Sequence, residues 1–203
     1  MREEGGFTLA EVMVTMVIMV TVMFALYSIF DMSLRVYGVG NDKVEATQNA
    51  RIGLDKIARE LRAAYPASKA GGKTQLFWAP GACLTAVMPS QTQITFGNDS
   101  NGNRMICNAT TGLMDAGEEI TYSVSGSTLQ RNGQPVVEFL QDLDGDGKAL
   151  TFTYMDAKGN TTSNEGAIAR VHVKLEVAVD RGIHEEPVKQ TLETDVALRN
   201  RKP

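Results

Sequence analysis

Residues 6–30 read GFTLAEVMVTMVIMVTVMFALYSIF. From Val12 through Phe30 no residue is charged and none is Pro or Gly, so nineteen consecutive positions carry apolar or hydroxyl side chains that suit a helix. Adding residues 7–10 reaches the roughly 20 residues, at about 1.5 Å each, that cross a hydrocarbon core about 30 Å thick. The run predicts a membrane-spanning helix over 7–30. Its β-branched residues (Val12, Val14, Thr15, Val17, Ile18, Val20, Thr21, Val22) have reduced helix propensity in water. In lipid the backbone must satisfy its own hydrogen bonds, and helix prevails. A cleaved secretory signal would need a basic start and a small-residue site after the apolar run. Here the start is Met1-Arg2-Glu3-Glu4, the run leads into Asp31-Met32-Ser33-Leu34-Arg35, and the small residues Gly5 and Gly6 come before it.

Glu11 is the exception in this run, a carboxylate one turn inside an otherwise apolar helix. A charge in such a place needs a partner, and no basic residue lies within helical reach in the same chain. A cut between Gly6 and Phe7 would create one, because the new α-ammonium of Phe7 would stand one helical turn away, or at the same depth on a neighbouring helix.

The string Gly6-Phe7-Thr8-Leu9-Ala10-Glu11-Val12 resembles the processing motif of type IV prepilins and pseudopilins: a glycine, Phe-Thr-Leu-x-Glu, then an apolar helix. The resemblance implies that a membrane prepilin peptidase cuts after Gly6 and methylates the amine of Phe7, and that Glu11 pairs with a neighbouring subunit's terminus during assembly. Leaders in that family are usually basic, whereas Glu3 and Glu4 offset Arg2 here, and Arg35 and Lys43 lie on the exported side. Charge asymmetry therefore does not set the orientation; the resemblance implies it, with residues 1–6 cytoplasmic and the remainder beyond residue 30 exported from the cytoplasmic (inner) membrane.

Past the membrane the helical pattern continues, with Val44, Thr47, Ala50, Leu54, Ile57, Leu61 and Ala64 stepping by three or four, and Tyr65-Pro66 ends it. Gly38 and Gly40 offer a place for a bend. The expected division is a leader at 1–6, a transmembrane and assembly helix at 7–30, a soluble continuation of that helix at 31–65, and a β-rich head at 66–203. Residues 67–108 read as loops with one or two strands around Leu76-Phe77-Trp78 and Ile94-Thr95-Phe96. Strand patterns then follow at 119–124, 128–131, 136–140, 150–155, 167–179 and 188–198, with Asn132-Gly133 as a turn pair. The fold class is α+β, a long amino-terminal helix packed against an antiparallel β-sheet head. The helix text Gln48-Asn49-Ala50-Arg51 through Glu60-Leu61-Arg62, the 122–131 hairpin, the Leu150-Thr151-Phe152-Thr153-Tyr154 strand and the ending Val196-Ala197-Leu198-Arg199-Asn200 resemble PilW-type minor pilins and J-type minor pseudopilins of type II secretion. That likeness implies a minor subunit that primes or caps a filament, with other pilin or pseudopilin subunits, the prepilin peptidase and an inner-membrane assembly platform as partners.

A net charge of -4 provides no basic patch for phosphate contacts, which excludes nucleic-acid binding as the main role. Cys83 and Cys107 lie beyond the apolar run, and in an oxidising compartment they are placed to pair; the alternative is two separate buried thiols. Asp142-x-Asp144-x-Asp146-Gly147 has the first half of a calcium loop, but its twelfth position is Thr153 where an EF-hand carries a bidentate Glu. A smaller calcium site and an acidic turn both fit. Asp99-x-Asn101-x-Asn103 has similar spacing with less charge. For catalysis the candidates are His172 and His184 with Asp180, Glu185 and Glu186 nearby, but no nucleophile elbow, paired-histidine metal motif or Gly-rich phosphate loop accompanies them. No enzymatic activity and no required cofactor are expected. A second class of function stays open, a signal-anchored binding module for calcium, glycan or protein that never polymerises; such an anchor has no use for Glu11.

Overall fold

The computed structural model describes residues 6–68, 74–82, 85, 87–108, 114–179 and 187–200. The chain divides into two compact units, Met1–Asp42 and Lys43–Pro203. A single helix, α1 (Leu9–Ala63), runs through the boundary without a break at Gly38 or Gly40. In the first unit it is long and apolar enough to cross a membrane, and its most apolar stretch is exposed among the described residues. Leu9, Met13, Met16, Val17, Phe24 and Tyr27 are all exposed. The hydroxyls in this stretch do not compete with the helix: Thr15 Oγ1 donates to Val12 O at 2.9 Å, Thr21 Oγ1 to Val17 O at 2.8 Å and Ser33 Oγ to Ile29 O at 2.8 Å.

In the second unit α1 acquires a buried stripe of Ala46, Ala50, Gly53, Leu54, Ile57, Ala58 and Leu61. Four of these seven positions are Ala or Gly, so the helix axis lies close to what it packs on. Val44, expected on the stripe, is exposed. Pro66 forbids continuation, and the freed groups find partners elsewhere: Tyr65 N donates to Gly97 O at 2.8 Å, and Asn200 Nδ2 donates to Ala64 O at 2.9 Å.

The remaining elements are β1 (Ala67–Ser68), β2 (Thr74–Gln75), β3 (Gln93–Gly97), β4 (Glu119–Ser125), β5 (Thr128–Arg131), β6 (Gln134–Val137), β7 (Leu150–Met155), a 3-10 turn (Glu165–Ala167), β8 (Arg170–Val179) and β9 (Val188–Ala197). They form two larger antiparallel sheets, β3-β4-β5-β6 and β7-β8-β9, with β1-β2 as a small ladder. The expected head is thus α+β and antiparallel, but its meander is split, because β6 and β7 are not neighbours. The strand expected over 136–140 stops at Val137. Phe139 takes φ 65, outside the strand region, and the chain leaves β6 to join the two sheets. Leu140 N donates to Ser127 O at 2.9 Å beside β5, while Phe139 O accepts from Ala178 N at 2.9 Å and Gln141 N donates to Glu176 O at 3.2 Å on β8. Asn132-Gly133 makes the β5–β6 turn with φ 50 and 77, the left-handed pair that a two-residue hairpin of this twist requires.

One core joins the stripe of α1 to both sheets through Phe77, Ile94, Phe96, Tyr122, Leu129, Phe152, Val173 and Leu175, among others. A second cluster holds Ala67, Trp78, Ile106 and Cys107. Glu60 pins helix to sheet: its carboxylate accepts from Tyr122 Oη at 2.7 Å and from Arg131 Nε at 3.0 Å. Gly53 marks the closest approach, since a Cβ there would overlap Val137 Cγ2. Alanine is the better helix former by about 1 kcal/mol, whereas overpacking costs about 1–3 kcal/mol. Gly53→Ala is therefore expected to destabilise the head, and Gly53→Ala on a Val137→Ala background to stabilise it. Denaturant unfolding of the four proteins of this cycle checks the coupling, and additive effects would show that the contact imposes no limit.

Candidate functional site

The amino-terminal motif occupies the first turn of α1. Thr8 N donates to Glu11 Oε2 at 2.9 Å, Thr8 Oγ1 donates to the same oxygen at 2.9 Å, and Glu11 N donates to Thr8 Oγ1 at 3.3 Å. This reciprocal pattern is a capping box, Thr-x-x-Glu, in which the carboxylate satisfies one of the free N–H groups at the helix start. Charge counting looks only for a cation and leaves Glu11 without a partner in the uncut chain. The structure corrects that: polar groups of Thr8 hold it. The sequence signal was the spacing Thr8-Leu9-Ala10-Glu11. Gly6 has open space where a Cβ would stand, and Phe7 is 88% exposed. No packing within the described residues requires glycine at position 6.

The acidic segment at 142–148 closes on itself. Asp142 Oδ1 and Oδ2 accept from Gly145 N and Gly147 N, each at 2.8 Å; Asp144 Oδ1 accepts from Asp146 N at 3.1 Å, and Asp146 Oδ1 from Lys148 N at 2.8 Å. One carboxylate oxygen from each of Asp142, Asp144 and Asp146 lies within 4.8 Å of the others, and all three residues are exposed. The ammonium of Lys174 on β8 reaches Asp144 Oδ2 at 2.5 Å and Glu176 Oε1 at 2.6 Å. Glu176 itself is 2% exposed and accepts from Leu143 N at 2.7 Å through Oε2. Lys174 and Glu176 are the residues that sequence reasoning passed over, because their strand is about thirty positions away.

The segment at 99–105 repeats the same bonding. Asp99 accepts from Gly102 N at 2.7 Å and Arg104 N at 2.9 Å, Asn101 Oδ1 from Asn103 N at 2.8 Å, and Asn103 Oδ1 from Met105 N at 2.7 Å. Gly102 and Arg104 have φ 77 and 60, as Gly145 and Gly147 have φ 82 and 81.

The other sequence candidates are not brought together as a catalytic group. His172 faces β9, with Nδ1 2.8 Å from Asp195 and Nε2 3.8 Å from Glu193, a cross-strand cluster on the sheet surface. His184, Asp180, Glu185 and Glu186 lie outside the described residues. Cys107 is disulfide-bonded, and Cys83 lies outside the described residues.

Comparison with known proteins adds one finding: residues 1–27 match the prokaryotic N-terminal methylation motif. No curated protein and no solved structure matches the chain. The chain thus carries the type IV prepilin-like signal, which indicates a precursor of the pilin or pseudopilin kind. With that signal on an apolar, membrane-length helix, the chain reads as a membrane-anchored structural subunit with an exported head, subject to prepilin peptidase and to assembly with other pilins.

The acidic loop yields a pH expectation. The Lys174 ammonium, and after it the N–H of Asp146, hold the Asp144 carboxyl below the usual carboxylate range. A depressed carboxyl stabilises the fold above its unfolded value of about 3.9 and loses that contribution as pH falls through the folded value. Asp144→Asn should therefore flatten the acid limb of a melting-temperature profile below about pH 4, with little change in its shape between pH 5 and 8. An unchanged acid limb would remove Asp144 from the groups that set acid stability.

Proposed function

We propose that this chain is a minor pilin or pseudopilin subunit that primes or caps a filament of the type IV pilus or type II secretion kind. The observation that supports a filament subunit is the coincidence of the methylation motif with a helix whose apolar side chains are exposed among the described residues. Such a surface is stable in lipid or against like helices. The minor, priming or capping role rests on the resemblance to PilW-type and J-type subunits. The prepilin peptidase would cut between Gly6 and Phe7 and methylate the Phe7 amine, releasing the subunit for extraction from the inner membrane by an assembly platform. Catalysis has no part in this role; the work is done by helix packing. Cutting leaves the Thr8–Glu11 cap intact and turns the Phe7 amide into an ammonium beside it. A neighbouring subunit's ammonium then competes for the Glu11 carboxylate and sets the axial register of the incoming helix. In the head, Cys107 is proposed to pair with Cys83, closing a loop of about 25 residues that contributes on the order of 3 kcal/mol by loop entropy.

Mass spectrometry of the mature protein should show an amino terminus at methylated Phe7, and a non-reducing digest should return Cys83 and Cys107 in one linked peptide. Gly6→Val should block the cut without altering the fold, because the side chain meets only open space. A mature Met1, or free thiols at both cysteines, would remove the corresponding part of the proposal.

Glu11→Gln separates the two uses of this residue, since glutamine preserves a capping box but carries no charge. Membrane accumulation and processing should match the parent, whereas recovery in sheared filaments from a strain lacking the parent gene should fall severalfold or more. Equal recovery would refute register selection by charge and favour a non-polymerising anchor.

A further inference from the structure

An edge strand leaves a row of backbone N–H and C=O groups unpaired, and proteins hide such rows with loops, proline or irregular pairing. The two larger sheets are edged by β3, β6, β7 and β9. At β3, Gly97 O accepts from Tyr65 N at 2.8 Å and Thr95 O from Trp78 N at 3.3 Å; at β7, Phe152 N donates to Gln91 O at 2.7 Å and Tyr154 O accepts from Thr162 N at 2.9 Å. β6 is four residues long, contains Pro135 and pairs through a register shift. β9 has ten residues, no proline, and an unbroken register from Val179↔Val188 to Arg170↔Ala197. Among the described residues no strand or backbone group covers its outer side.

On β8, Glu176 N donates to Ala149 O at 2.8 Å and Ala178 N to Phe139 O at 2.9 Å, so both turn away from β9. Thr191 and Lys189, opposite them, therefore stand in non-hydrogen-bonded pairs and direct their own N–H and C=O outward. Alternation extends this to Glu193, Asp195 and Ala197. Gln190 Nε2 donates to Lys189 O at 2.5 Å and would give way to a pairing strand. The side chains of Lys189, Thr191, Glu193 and Asp195 are exposed, whereas Val188 and Leu192 are half-buried and Val196 is buried. A charged edge repels arbitrary strands, but this one complements itself. In antiparallel pairing with a second copy about a two-fold axis at Leu192, Lys189 stands opposite Asp195 at both ends, Thr191 opposite Glu193, Val188 opposite Val196 and Leu192 opposite Leu192. An axis at position 193 sets Glu193 against Glu193, and one at 194 sets Glu193 against Asp195; like charges directly opposite destabilise a sheet. An axis at 191 matches Lys189 with Glu193 but keeps only residues 188–194 in the ladder, against 188–196.

We propose that the outer edge of β9 pairs with β9 of a second copy of this chain, joining two three-stranded sheets into one of six strands with Leu192 on the two-fold axis. Backbone hydrogen bonds supply the attraction, and the Lys189–Asp195 pairs fix the register. Asp195 Oδ1 lies 2.8 Å from His172 Nδ1, which leaves its other oxygen for the lysine of the second copy. The pairing concerns the head alone and does not rest on the filament reading.

The test is disulfide trapping in the full-length protein in detergent, with the parent chain as the blank for its own cysteines. In the proposed register the Cα atoms of the two Leu192 residues stand about 4.5 Å apart, within the span of a disulfide, and those of the two Gln190 residues about 14 Å apart. Under mild oxidation Leu192→Cys should give severalfold more covalent dimer on a non-reducing gel than Gln190→Cys. Thr191→Pro removes an outward N–H and spares the ladder to β8, so added to Leu192→Cys it should abolish the trapped dimer with little change in melting temperature. Should Thr191→Pro melt far below the parent, the charge variants decide: Lys189→Glu should lower trapping severalfold, and Lys189→Glu with Asp195→Lys should restore it. Equal trapping at positions 190 and 192, or trapping at 192 that neither the proline nor the charge reversal lowers, overturns the proposal; association through α1 alone would give that result.

Discussion

A helix that crosses lipid must satisfy every backbone N–H and C=O within itself, and the rest of this chain is arranged around that requirement. α1 meets it by running unbroken from Leu9 to Ala63, with Thr15, Thr21 and Ser33 folding their hydroxyls back on its own carbonyls. Its ends carry the groups that the ladder leaves over. At the start Thr8 and Glu11 exchange hydrogen bonds; at the close Asn200 donates to Ala64 O, so the last described turn of the chain seals the end of its first element. One continuous backbone therefore serves two solvents. The first part is apolar all round, and the second carries a single stripe of small and aliphatic residues.

That stripe determines how the head is built. Ala46, Ala50, Gly53 and Ala58 let the helix approach a β-sheet closely enough that position 53 has no room for a methyl group. Close approach brings Glu60 within reach of Tyr122 and Arg131, so the apolar contact carries a charged clasp with it. Burial and, after it, the Glu60 contact push the Tyr122 phenol far above its ordinary range.

Carboxylates elsewhere in the head work in the same manner. Glu176 and Glu118 are buried at the edges of two loops; Glu176 accepts the N–H of Leu143, and Glu118 accepts those of Ser100 and Asn101. A carboxylate in such a place stabilises only when all its oxygens are answered. The ammonium of Lys174 on β8 bridges Asp144 and Glu176, which ties the acidic run at 142–146 into a surface network.

The amino-terminal half of the architecture was legible in the sequence because its physics is local. Hydropathy over 7–30, a glycine before it, Glu11 inside it and Tyr65-Pro66 at the end of the helix are each read within one or two turns, and Thr8-x-x-Glu11 has the spacing of a capping box. The hairpin around Asn132-Gly133 and the alternation in β7 and β8 were equally local, and their bounds fall within a few residues of those expected. What only the tertiary structure decided was non-local. The split into two sheets depends on the 139–141 segment bonding to β8 some thirty-seven positions on; Gly53 matters because Val137 stands opposite; the character of the two acidic loops depends on Lys174, Glu176 and Glu118, none of which is adjacent to them in the chain. Periodicity records which face of an element is apolar, but the partner that covers that face, or answers a buried charge, is chosen by chain folding over long separations, where sequence pattern carries no distance.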